Sequence, residues 1–114
     1  MKNSLFEVPV KVLNREGCGL PSEFAGAIVV CYAAAEDALS AVKRAKIAVE
    51  ALKYGFDDLA RPTVRELDLG QWEAYVQNAW PEDAETLPTQ DELPELVERG
   101  IVFLSPAVGF IDPR

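Results

Sequence analysis

From Leu5 to Leu13 the chain alternates, with Phe6, Val8, Val10 and Val12 on one side and Glu7, Pro9 and Lys11 on the other. A period of two predicts a strand with one covered face, so Glu7, Pro9 and Lys11 are expected in solvent. Pro9 has no N–H to give to a ladder, which predicts an edge strand or a strand start. Residues 14–23, with two glycines and a proline, read as a loop. Phe24 to Tyr32 is apolar on both faces and β-branched at its centre, the pattern of a central strand covered on both sides.

The period then changes to that of a helix, from Glu36 to Tyr54. Ala38, Val42, Ala45, Val49 and Leu52 recur at spacings of four and three and predict one buried stripe. Glu36 and Asp37 suit the positive N-terminal end and Lys53 the negative C-terminal end. Gly55 is expected as the left-handed residue that ends the helix. Thr63 to Leu69 reads as a strand, with Phe56 to Leu59 as a lead-in strand or loop. Asp68 and Gln71 form a capping-box pattern ahead of a helix with Trp72, Tyr75, Val76, Ala79 and Trp80 on one face, stopped by Pro81.

A second, short helix is expected to start from a cap at Thr89 or Asp91 and to end near Arg99–Gly100, burying Leu93, Leu96 and Val97. Ile101–Leu104 and Ala107–Ile111 complete the pattern as a last strand interrupted at Pro106. The order ββαβααβ predicts a single α+β domain over residues 1–114. Its expected form is about four strands with the helices packed on one face, a ferredoxin-like variant outside the strict βαββαβ order. If the strands flanking the first helix are parallel, a right-handed crossover is expected.

Charge changes this picture most. The chain of 114 residues carries a formal net charge of −8, and the excess is local. Residues 57–98 hold twelve acids against two arginines, whereas the segments on either side are each close to neutral. Such a segment repels nucleic acid and anionic lipid and favours a basic protein. No apolar run approaches the roughly 20 residues that span a bilayer. With no apolar leader and two cysteines of no zinc-ligand spacing, a cytoplasmic protein with reduced thiols is expected.

The chain contains no histidine, which removes the commonest general base and metal ligand and any Ser–His–Asp or Cys–His machinery. Phosphate-binding glycine loops, nucleophile elbows and EF-hand loops are absent from the sequence. No cofactor or metal is expected, and catalysis ranks below binding. An enzyme would rest on Cys18 between two glycines, or on Glu66 with Asp68, but these read as a loop residue and as an exposed residue beside a cap. Cys31 reads as core and Asp57–Asp58 as loop solvation.

Lys43, Arg44 and Lys46 form the one basic cluster and read as a solvated helix face. The candidate partner-binding set is Trp72, Trp80, Glu82, Asp83, Glu85, Asp91, Glu92, Glu95 and Glu98, an aromatic anchor rimmed by carboxylates. The expected function is a non-catalytic protein-binding module, an inhibitor or immunity-type protein that neutralises a basic partner. The alternative is a small-molecule-binding or regulatory ferredoxin-like domain acting as a homodimer.

Overall fold

The computed structural model describes residues 3–60 and 64–105, together with the backbone of 108–110. Ten residues of β1 (Ser4–Leu13) pair antiparallel with ten of β2 (Gly26–Ala35), from Ser4 opposite Ala35 to Leu13 opposite Gly26. Along the free side of β1 lie two short strands end to end. β3 (Gly55–Leu59) pairs with Val10–Leu13, and β4 (Arg65–Leu67) with Leu5–Glu7. The free side of β2 is lined in the same way by β5 (Val102–Leu104) and β6 (Val108–Phe110). The result is an open antiparallel sheet in four lanes, β3/β4, β1, β2 and β5/β6.

The element order is the expected ββαβααβ, with its third and fourth strands each broken in two. Thr63, Pro106, Ala107 and Ile111, assigned to strands from the sequence, lie outside the described residues. Because β1 runs antiparallel to both β2 and β3, those two strands are parallel, with β1 between them. The helix α1 (Ala38–Ala51) joins them across that central strand. Among the described residues, no helix is long and apolar enough to cross a membrane.

The helices do not share one face, and this corrects the expected arrangement. α1 packs through Ala41, Ala45 and Val49 on Val8, Val10, Val12, Val29, Cys31 and Ala33. The opposite face, with Leu5, Tyr32 and Ala34, is covered by α2 (Trp72–Ala79) and α3 (Leu93–Glu98) through Trp72, Val76, Leu93 and Val97. The α1 interface is built mainly of alanine and valine, the other of tryptophan, tyrosine, leucine and valine.

Two expectations for β1 fall with this. Glu7 is 5% exposed and Pro9 fully buried, so the second face of the strand is core at these two positions, while Lys11 stands in solvent as expected. β1 is also central, not an edge. The Pro9 carbonyl accepts from Ala60 N (2.8 Å), just past the end of β3. In a strand the N–H points to the same side as the carbonyl, so the missing donor faces the break between β3 and β4. β2 is the expected central strand covered on both faces, although it runs Gly26–Ala35 rather than Phe24–Tyr32 and leaves Ile28 exposed.

α1 is shorter than its predicted span and its stripe is rotated. Ala41, Ala45 and Val49 are buried with Val42 beside them, while Ala38 and Leu52 are exposed. Asp37 is the N-cap, accepting from Ser40 N at 2.8 Å. The left-handed residue at the C-terminus is Lys53 (φ 72°) rather than Gly55. Lys53 N bonds Glu50 O and Tyr54 N bonds Val49 O, a complete Schellman pair, which leaves Gly55 free to open β3.

Candidate functional site

The second face of the sheet carries the polar chemistry of the protein. Arg65 on β4 reaches Glu7 with a 3.1 Å ion pair, and the Tyr75 hydroxyl of α2 donates to the same Glu7 oxygen. Tyr75 also meets the Tyr32 hydroxyl at 2.8 Å, and Trp80 Nε1 donates to Tyr32 at 2.7 Å. Burial, followed by the bonds to Glu7 and Tyr32, holds the Tyr75 phenol well above its ordinary range. The rings pack in the geometries aromatic quadrupoles favour. Tyr32 stands edge-on to Trp72 at 5.3 Å and stacks on Phe103 at 5.2 Å, while Trp72 stacks on Tyr75 at 5.5 Å. A buried carboxylate is costly unless it is paired and hydrogen-bonded, and here it is both. The network joins β1, β2, β4 and α2 and acts as the polar bolt of the core.

The two tryptophans therefore differ. Trp72 is 1% exposed, its Nε1 donating to Pro88 O at 2.8 Å. Trp80 is half-buried at the end of α2. The acids of the candidate set lie outward: Glu82, Glu85, Asp91, Glu92, Glu95 and Glu98 are exposed and Asp83 is half-buried. Together they form a shell over the segment from the end of α2 to the end of α3.

Within that shell Glu92 has a local duty. Its carboxylate accepts from Thr89 N (3.1 Å) and Thr89 Oγ1 (3.0 Å), and Glu92 N donates to Thr89 Oγ1 (3.3 Å). This reciprocal capping box holds the Glu92 carboxyl below the usual range, chiefly through the backbone bond. Glu95 pairs with Arg99 at 2.8 Å, both side chains exposed, an arrangement worth little in water.

The loop over residues 84–91 is tied down to α2. Besides the Trp72–Pro88 bond, Gln90 Oε1 accepts from Glu73 N at 2.9 Å, capping α2 from seventeen residues away. Gln71, expected to complete a capping box with Asp68, makes no side-chain cap bond. Asp68 instead accepts from Gly70 N at 2.9 Å. Between α2 and this loop lies an open cleft of about 290 Å³, floored by Trp72, Val76 and Leu87 with Glu73 and Asp91 at its walls.

The other candidates disperse. Cys18 is half-buried, with its Sγ 3.1 Å from Asn14 Oδ1, rather than displayed by its flanking glycines. Cys31 is buried, its thiol pushed up to about 12 by desolvation. Glu66 is exposed on β4 and Asp68 is taken up by its cap. Asp57 pairs with Lys11 at 3.6 Å, and Asp58 accepts from Leu59 N.

The basic trio has no common target. Arg44 donates to Ala34 O (2.7 Å) and Gly100 O (3.1 Å), bracing α1 against the turn after α3. Lys46 lies over the Phe56 ring, and Lys43 is exposed. Among the described residues no group of three or more acids or thiols is placed to hold a metal ion.

Glu7, Tyr32, Arg65 and Gln90 are the structural residues that local pattern does not single out. Only the single acid in a mostly apolar strand hints at the first of them. No family model matches the chain, and no curated protein or solved structure matches it either.

Proposed function

We propose that the protein is a non-catalytic binding module that docks a basic protein on the acidic shell between the end of α2 and the end of α3. The observation that carries this reading is one of charge. Between Arg65 and Arg99 the sequence holds ten acids and no base, and the acids from Glu82 to Glu98 are exposed apart from half-buried Asp83. A patch of one sign steers a partner of the other sign and raises the association rate. An inhibitor or immunity-type role, masking a basic surface such as that of a nuclease, matches this chemistry.

The burial of Trp72 assigns it to shaping the surface, which leaves half-buried Trp80 as the aromatic edge available to a partner. Affinity capture with wild-type protein and with E82K/E85K/E95K/E98K as bait tests the proposal. These four side chains are exposed and carry no cap, unlike Glu92. Capture of a basic protein by the wild type and its loss with the reversed bait is the expected result. Equal capture by both baits overturns the reading.

A second reading, a regulatory ferredoxin-like domain acting as a homodimer, draws on α1. Leu39 and Ile47, two turns apart, are 66% and 68% exposed. The unit of two parallel strands and a helix straddling a central antiparallel strand is the part of the topology it shares with such domains. Sedimentation equilibrium separates the readings: a concentration-dependent dimer lost in Leu39→Glu/Ile47→Glu supports the second.

A further inference from the structure

We propose that the cleft between α2 and the 84–91 loop is the seat of one arginine side chain from the basic partner. This rests on the acidic-docking reading and names what that surface recognises. The volume of about 290 Å³ lies at the lower limit of pockets that enclose a whole small molecule, roughly 300 Å³. The cleft is also open on one side, so it suits a side chain entering from a macromolecule. Its floor is apolar and buried: Trp72, Val76 and Leu87. A long methylene stem laid on such a floor loses water from both surfaces.

The charged residues lining the cleft are Glu73 and Asp91, one from α2 and one from the loop, and no lysine or arginine lines it. Neither carboxylate has a hydrogen-bond or ion-pair partner among the described residues. Carboxylates on two walls call for a cation with donors pointing in several directions. A guanidinium, planar, weakly hydrated and carrying five N–H groups, fills that role better than an ammonium.

The cleft exists before any partner arrives. The Trp72–Pro88 bond, the Gln90 cap on Glu73 N and the 3.4 Å contact from Gln90 Nε2 to Gly70 O hold the loop against the helix. A preformed site spares the ordering cost of binding.

The test is a two-dimensional NMR titration of the intact protein with N-acetyl-arginine amide, using the neutral N-acetyl-citrulline amide as control. Saturable shifts at the amides of Val76, Gln77, Leu87 and Asp91, at least tenfold weaker with the citrulline probe, are expected. Glu73→Gln/Asp91→Asn, at two exposed positions, is expected to weaken the arginine probe at least tenfold with an unchanged melting curve. Ala84→Phe, which fills the cleft, is expected to abolish the shifts.

Equal shifts with both probes, or no saturable shift at the cleft, overturn the proposal. If the cleft stays silent while partner capture is still lost in E82K/E85K/E95K/E98K, the arginine seat falls and the acidic docking surface stands. If that reversed bait captures as well as the wild type, the docking surface itself falls.

Discussion

Replacing Tyr75 with phenylalanine removes one oxygen from the centre of the second core and leaves the rest of the ring in place. That oxygen donates to the buried Glu7 carboxylate and shares a 2.8 Å bond with Tyr32. A hydrogen bond to a charged group contributes about 1.5–3 kcal/mol, more than a neutral one. Tyr32 retains Trp80 Nε1, so its own loss is small, and a net destabilisation of about 2–3 kcal/mol is expected. Against a typical total of about 5–15 kcal/mol this is a large fraction. With an unfolding entropy of about 2.1 cal/mol/K per residue, a chain of 114 residues should melt roughly 10 °C lower.

Urea titration at neutral pH gives the free energy and a thermal scan the shift. Tyr75→Leu, which also removes the stacking on Trp72, should cost about 1 kcal/mol more. The alkaline limb carries a second signature. The phenol is held above its ordinary value, so the folded state retains that proton more tightly than the unfolded chain does. Its contribution is complete below about pH 10 and is lost as the pH rises further. Tyr75→Phe should therefore show a shallower fall of stability above pH 10 than the wild type. A Tyr75→Phe protein within about 0.5 kcal/mol of the wild type, with an unchanged alkaline slope, refutes the polar bolt.

Lys53→Gly should stabilise the protein by roughly 0.5–1 kcal/mol in urea titration, because Lys53 holds a left-handed conformation at the end of α1 that costs a residue with a Cβ about 1–2 kcal/mol. Gly100→Ala should destabilise by at least about 1 kcal/mol in the same assay: φ is 74° there and a Cβ would stand 2.7 Å from Arg44 Nη1, the atom that braces α1. In native protein at pH 8, iodoacetamide should label Cys18 and spare Cys31, whose thiol is buried and pushed up to about 12; mass spectrometry should find both labelled after unfolding, and native labelling of Cys31 contradicts its placement.

The elements whose pattern is local were legible in the sequence. β2 announces itself by nine apolar or small residues, and the short helix by a cap expected at Thr89 or Asp91, of which Thr89 makes the cap bonds. The expectations that failed depend on residues far apart in the chain. Glu7 reads as solvent-facing because the partners that make its burial tolerable, Arg65 and Tyr75, come some sixty residues later. Pro9 reads as an edge because the break between β3 and β4, which accommodates its missing donor, is invisible in β1 itself.

The same holds for caps. Gln71 had the right spacing to Asp68, yet the first turn of α2 is satisfied by Gln90 from the loop that closes the cleft. Trp72 and Trp80 share a helical face by spacing alone. Tertiary packing then buries one beneath the 84–91 loop and leaves the other at the end of α2. Of the candidate surface, the charge was readable from composition along the chain, while the cleft beside it was not.

The central claim, an acidic surface that draws in a basic partner, is tested most directly by stopped-flow association with the captured partner across about 20 to 300 mM salt, a range over which screening shortens from tens of ångströms to a few. The wild type should associate at least tenfold more slowly at the high-salt end, and E82K/E85K/E95K/E98K should be slow throughout with little salt dependence. A wild-type rate that does not change with salt, or a charge-reversed protein that associates as fast as the wild type, contradicts the account.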